Sequence, residues 1–193
     1  MTNLSINFSE SYCEGRGKEI VDGLVVNMSP VRPKHSITTR NIERLFDYYL
    51  ENGDCQVFSD VLVHFSKKDK FSPDVSVVCG KDAVTDKGIF GIPVLVAEVL
   101  SPRSVKRDRG YKKDAYEKYG VLEYWIVDVE NRVLEVYVLE DNNYKAAEFY
   151  TVYDEFDLEQ MDESERSAIV YEFKSAAFGD LTISVHDVFR SIL

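Results

Sequence analysis

Residues 95–102 read LVAEVLSP. Leu95, Val96, Ala97, Val99 and Leu100 form an apolar run on both parities, closed by Ser101-Pro102. A run of this kind is a short strand covered on both faces, in the middle of a sheet. One carboxylate, Glu98, stands inside it. Carboxylates are almost never buried ionised without a partner, because desolvation is costly. Glu98 therefore requires a cation, either a basic side chain or a metal ion.

Upstream, Pro73-Asp74 opens a second strand through Val75, Val77 and Val78, and Cys55–Phe65 reads as another, with Val57, Val61 and Val63 as a β-branched ladder. The polar stretch between them and the Glu98 strand, Gly80–Gly91, reads as a loop. Residues 17–28 alternate around Asp22-Gly23, a dipeptide suited to a hairpin turn. Ile42, Leu45, Phe46 and Tyr49 have helical spacing, which predicts a helix over His35–Leu50, stopped at Asn52-Gly53. Downstream, residues 105–119 are predicted helical, with Tyr111, Ala115, Tyr119 and Leu122 on one face and Gly120 near the stop. Glu123–Asp128 and Arg132–Leu139 follow as strands joined at Glu130-Asn131. The ending AFGDLTISVHDVF reads as a strand and a short helix. The fold class is α/β or α+β: a mixed β-sheet flanked by helices, with an N-terminal β-hairpin, in a single domain over residues 1–193.

The chain has 193 residues, 45% of them hydrophobic, which excludes wholesale disorder. No apolar run approaches a membrane span and Met1–Glu10 does not resemble a signal peptide, so a cytoplasmic location is expected. Cys13, Cys55 and Cys79 are an odd, widely spaced set and read as free thiols rather than a disulfide or zinc site. His35, His64 and His186 lack zinc-hydrolase spacing.

The net charge is −11, yet residues 103–118 carry seven bases against three acids. Arg103, Lys106, Arg107, Arg109 and Lys113 on this basic helix are candidates for contact with a DNA backbone. A solvated face of ordinary ion pairs is the alternative. Residues 140–165 hold ten acids and one base, and read as an exposed loop or insertion.

Asp74 and Glu98 fall on neighbouring strands, where they can meet. Two carboxylates facing one spot repel unless a cation lies between them, and an oxygen-seeking divalent ion such as Mg²⁺, with Mn²⁺ as substitute, is the usual solution. A lysine beside them would complete a phosphodiester hydrolase. Two residues past Glu98, on the same strand face, stands Leu100, not lysine. Lys112 on the following helix is the alternative: Lys112, Tyr116 and Gly120 lie four apart, which turns Lys112 toward the sheet. Glu98 paired with Lys112 or Arg109 as a structural ion pair remains the competing account.

PDVSVV, VLVAEVLSP and DRGYKKDAYEKYGVLEYWIVD together resemble the core of the Uma-two family of restriction endonuclease-like proteins, within the PD-(D/E)XK nuclease superfamily. The family pattern is met by Asp108, Arg109, Lys112, Tyr116, Gly120, Val121, Glu123, Tyr124 and Trp125, and its weaker N-terminal features by Glu19, Asp22, Gly23, Ser29, Pro30 and His35. The resemblance implies a restriction-endonuclease-like core in which Asp74 and Glu98 bind Mg²⁺, Lys112 is a catalytic lysine moved from strand to helix, and Glu19 is an additional acid. DNA is the implied substrate, and two cuts in a duplex suggest a homodimer. A catalytically weak nucleic-acid or protein-binding module of the same fold, and an interaction protein using the acidic segment, are the other classes.

Overall fold

In the computed structural model, which describes residues 17–28, 30–51 and 53–192, the Glu98 strand (Leu95–Val99) is buried along its whole length near the middle of a seven-stranded sheet. It pairs parallel with Glu123–Asp128 on one side and antiparallel with Val75–Cys79 on the other. Val133–Glu140 extends the sheet beyond Glu123–Asp128, and Cys55–Phe58 closes the opposite edge. The sheet is mixed, and the architecture is α+β.

Strand alternation sorts the side chains of the central strand to two faces. Leu95, Ala97 and Val99 join the larger core beneath the helix Pro33–Leu50, where Ile42, Phe46 and Trp125 are fully buried. Val96 and Leu100 instead face the smaller cluster of Phe71, Ala115, Tyr116 and Tyr124, beneath the basic helix. Glu98 shares their parity, so the sheet delivers its carboxylate to the basic-helix side.

A second sheet, of six strands, contains the N-terminal hairpin Lys18–Val21 and Leu24–Asn27. Asp22 and Gly23 turn it with φ of 50° and 77°, the paired left-handed geometry of a tight hairpin. Lys70–Phe71, Val63–His64, Gly88–Ile89 and Val84–Thr85 complete this sheet.

Several expectations need correction. The strand predicted over Cys55–Phe65 ends at Phe58, bends at Ser59-Asp60, where Asp60 has φ 55°, and its remainder enters the second sheet. Gly80–Gly91 is not simply a loop: Val84–Thr85 and Gly88–Ile89 pair within it. The acidic stretch is ordered as strands Asn143–Tyr144 and Glu148–Thr151 and helices Glu155–Gln160 and Glu163–Ser167. Asp154 and Asp162 cap these helices, and further acids occupy their first turns, where they complement the helix dipole. Cys55 and Cys79 are not free thiols but a disulfide, because antiparallel register places them opposite each other. Cys13 and Ser29 lie outside the described residues, as do the N-terminal ten.

The basic helix is also not uniform. Val105–Arg107 and Lys113–Tyr119 are α-helical, but the turn between them, Asp108–Lys112, is π-helical. The buried residues are Asp108, Lys112, Ala115 and Tyr116, while Tyr111 of the predicted apolar stripe is 37% exposed. Such turns are rare and concentrate at functional sites.

Candidate active site

Asp74 and Glu98 come together through strand register. Val75 pairs with Ala97, and one step further along the antiparallel ladder Asp74 faces Glu98. Pro73 precedes the ladder without a backbone donor to spend, and Asp74 Oδ2 accepts the Val99 N–H at 2.7 Å. His35, in the first turn of Pro33–Leu50, brings Nε2 to 3.2 Å from the same oxygen. Burial pulls the His35 pKa down, but its hydrogen bond and attraction to Asp74 outweigh that, leaving it raised.

Lys112 is 1% exposed, with Nζ 2.8 Å from both Glu98 Oε1 and Glu19 Oε1. Tyr116 Oη donates to Glu98 Oε1 at 2.6 Å. The cation that Glu98 requires is thus supplied by the helix, from the π turn. Glu19 is fully buried; its Oε1 also accepts the Ser72 N–H at 3.0 Å, and its Oε2 lies 3.5 Å from Arg107 without a hydrogen bond among the described residues. Asp108, 1% exposed, likewise keeps Oδ1 without a hydrogen-bond donor, with Arg107 Nε at 3.5 Å.

A cavity of about 80 Å³ opens on this cluster, lined by His35, Asp74, Glu98, Asp108 and Lys112 among others. Glu98 is pushed up to about 8: burial is the main cause, Lys112 opposes it, and Asp108, Asp74 and Glu19 add to it. Burial likewise raises Asp108 against the pull of Lys112 and Arg107. For Lys112, burial acts downward, but the carboxylates of Glu98, Glu19 and Asp108 hold it charged above its ordinary value.

The site fits a divalent cation. The contacts to Asp74 fall on Oδ2 and those to Glu98 on Oε1, so each carboxylate keeps an oxygen that no described donor reaches. Glu98 is surrounded by Asp74, Asp108 and Glu19, whose negative charges add to the effect of burial on it. Among the described residues no three His, Cys, Asp or Glu side chains converge on one point. An ion here would be held by two carboxylates and water, the coordination Mg²⁺ accepts.

The remaining sequence candidates scatter. Arg103 and Lys106 are exposed. Arg107 faces inward to Glu19 and Asp108, Arg109 binds Glu135 at 2.5 and 2.8 Å, and Lys113 lies 5.4 Å over the Tyr137 ring. Sequence reasoning gave Tyr116, Asp108 and His35 no role in a site. Asp108 carried a signal, standing four residues before Lys112 near the same helix face.

A family model described as "Putative restriction endonuclease", Uma2, matches residues 9–168. An uncharacterized protein of Synechocystis is 30% identical over 139 residues, covering 67% of this chain and 73% of that protein. A crystal structure from Anabaena variabilis, described as a putative nuclease belonging to DUF820, superposes with a TM-score of 0.68 over 89% of both chains, at 16% identity. The last similarity is one of fold.

Proposed function

This chain belongs to the Uma2 restriction endonuclease family, and from that premise we propose that it is a Mg²⁺-dependent endonuclease hydrolysing DNA phosphodiester bonds. The observation that carries the reading is the Lys112 ammonium, buried 2.8 Å from Glu98 on a cavity that Asp74 also lines. Asp74 and Glu98 would hold the ion. A bound divalent cation activates water and polarises phosphate oxygens.

The chain's own groups do the rest. Lys112, kept charged by three carboxylates, neutralises charge developing on the phosphate or orients the attacking water. Glu19 fixes its ammonium, Tyr116 donates to Glu98, and Val99 N–H and His35 fix Asp74. Exposed Arg103 and Lys106, at the entry to the basic helix, are the backbone contacts, and Arg107 lines the cavity itself; Arg109 and Lys113 pack on Glu135 and Tyr137. A homodimer would supply the second site for cutting both strands.

Calorimetric titration of Mn²⁺ into wild-type and Glu98→Gln protein, paired with plasmid cleavage, tests this. Binding in the wild type that is lost in Glu98→Gln supports it. No binding to the wild type, with or without DNA, refutes it. One feature favours a second reading, a binding module without chemistry: Lys112 and Tyr116 already satisfy Glu98 Oε1. That reading predicts DNA binding with no Mn²⁺ dependence.

A further inference from the structure

The six-stranded sheet has a face that the site does not use. Glu19, Val63, Phe71 and Ile89 point inward and are fully buried. On the opposite face Ile20 pairs with Val25, Lys70 lies beside Ile20, and His64 beside Lys70. Phe90, 54% exposed, lies flat on His64, with ring centroids 4.1 Å apart and 11° between planes. The His64 Nε2 contact with the Lys87 carbonyl, 3.2 Å, fixes the imidazole. Burial and Lys70 keep its pKa below the ordinary value, so at neutral pH the ring is an uncharged aromatic surface. Among the described residues the strand positions of this face hold no Asp or Glu, on a chain of net charge −11.

We propose that this face binds single-stranded nucleic acid, with a base stacked on the exposed Phe90 ring and phosphates beside Lys70 and Lys87. Aromatic rings and lysines in this combination bind single strands with little sequence preference, because every base has a π-face. The charge distribution selects a polyanion over other partners: this is a basic and aromatic surface on an acidic body. Its position is also apt. Asp74 follows Lys70 by four residues, at most ~14 Å along an extended chain, so the face lies within a few nucleotides' reach of the site. The inference rests on the nuclease reading and sharpens it, making the substrate a DNA with an unpaired stretch beside the cut.

The test uses Glu98→Gln protein in EDTA, so that neither metal nor cleavage enters. Fluorescence anisotropy measures its affinity for a short, labelled, mixed-sequence DNA strand and for the same strand annealed to its complement. The single strand is expected to bind more tightly. Adding Phe90→Ala is expected to weaken single-strand binding about 5- to 150-fold, the range for losing one stacked base. Lys70→Ala is expected to lower the slope of log affinity against log salt by about 0.7. Unchanged affinity in Phe90→Ala together with an unchanged slope in Lys70→Ala overturns the proposal, as does failure to bind the single strand. Sedimentation in which Phe90→Ala splits a dimer while DNA affinity is unchanged would assign the face to a second copy and also overturn it. The nuclease reading fails separately, through absent Mn²⁺ binding in the wild type, which this metal-free measurement does not touch.

Discussion

Replacing Lys112 by Met keeps the length of the side chain and removes its charge. In the folded protein Nζ sits 2.8 Å from Glu98 Oε1 and 2.8 Å from Glu19 Oε1, and neither carboxylate is more than 4% exposed. The variant leaves both facing a thioether. Breaking a buried ion pair on one side costs ~3–5 kcal/mol, because the orphaned carboxylates must stay desolvated or take up protons. At ~2–4 °C per kcal/mol for a chain of this size, the melting temperature should fall by ~6–20 °C. Equilibrium urea unfolding in EDTA at pH 7.5, about ordinary working pH, measures the free energy directly. Adding Glu98→Gln to Lys112→Met removes one of the two stranded carboxylates, and the double variant should regain ~1–3 kcal/mol over Lys112→Met alone. A Lys112→Met protein within ~1 kcal/mol of wild type would refute the reasoning, since it would mean that Lys112 is not the charge partner of Glu98. The same variant should lose DNA cleavage while still binding Mn²⁺, if the metal sits on Asp74 and Glu98.

Three further outcomes follow from other parts of the molecule. Glu123→Gln should destabilise by ~1–3 kcal/mol in urea unfolding without affecting Mn²⁺ binding, because Glu123 accepts from Trp125, Ser175 and Ala177, remote from the cavity. Asp69 accepts from Tyr119, Tyr111 and the Asp22 N–H, and although burial acts upward, these bonds hold its pKa below 3.8. Its stabilising effect is therefore present above pH 3.8 and lost as pH falls through the lower, folded-state value; Asp69→Asn should be less stable than wild type at pH 7, with the gap closing in acid. Reducing the Cys55–Cys79 disulfide, which closes a separation of 24 residues, should cost about 3 kcal/mol, and Cys55→Ser should remove any effect of reductant.

Local patterns made part of this molecule legible from its sequence. The buried strand, its lone carboxylate, the Asp22-Gly23 hairpin and the terminal strand and helix all rest on short-range alternation or turn chemistry, and the structure has them. Asp74 and Lys112 were reachable because a strand pair and a four-residue helical spacing predict which way each points. Beyond that hairpin, the second sheet was not legible. Val63–His64, Lys70–Phe71 and Gly88–Ile89 are two residues long, too short to show a period, and they exist only because they pair with one another. The Cys55–Cys79 bond depends on strand register, which spacing alone does not give. The π turn at Asp108–Lys112 leaves no mark in the apolar pattern, and Tyr111, expected on the apolar stripe, is partly exposed there.

Three buried carboxylates on the same sheet separate structural acids from the candidate ligand. Glu123 is saturated: Oε1 takes the Trp125 indole N–H, and Oε2 takes Ser175 Oγ and the Ala177 N–H. Glu135 is saturated too, with Arg109 on Oε1 and Tyr137 on Oε2. Such acids hold the fold together, and the cost of burying them is offset by donors on every side. Glu98 differs in kind. Its donors crowd one oxygen, three carboxylates surround it, and it opens on a cavity. A stability role would be better served by another donor or by an apolar residue. The lysine's position bears on the same point. Residue 100, where a strand lysine would stand, is Leu100, packed against the smaller core, and the positive charge arrives from Lys112 instead. A helix-borne ammonium can be held by Glu19 as well as Glu98, so it remains anchored if an incoming cation claims Glu98.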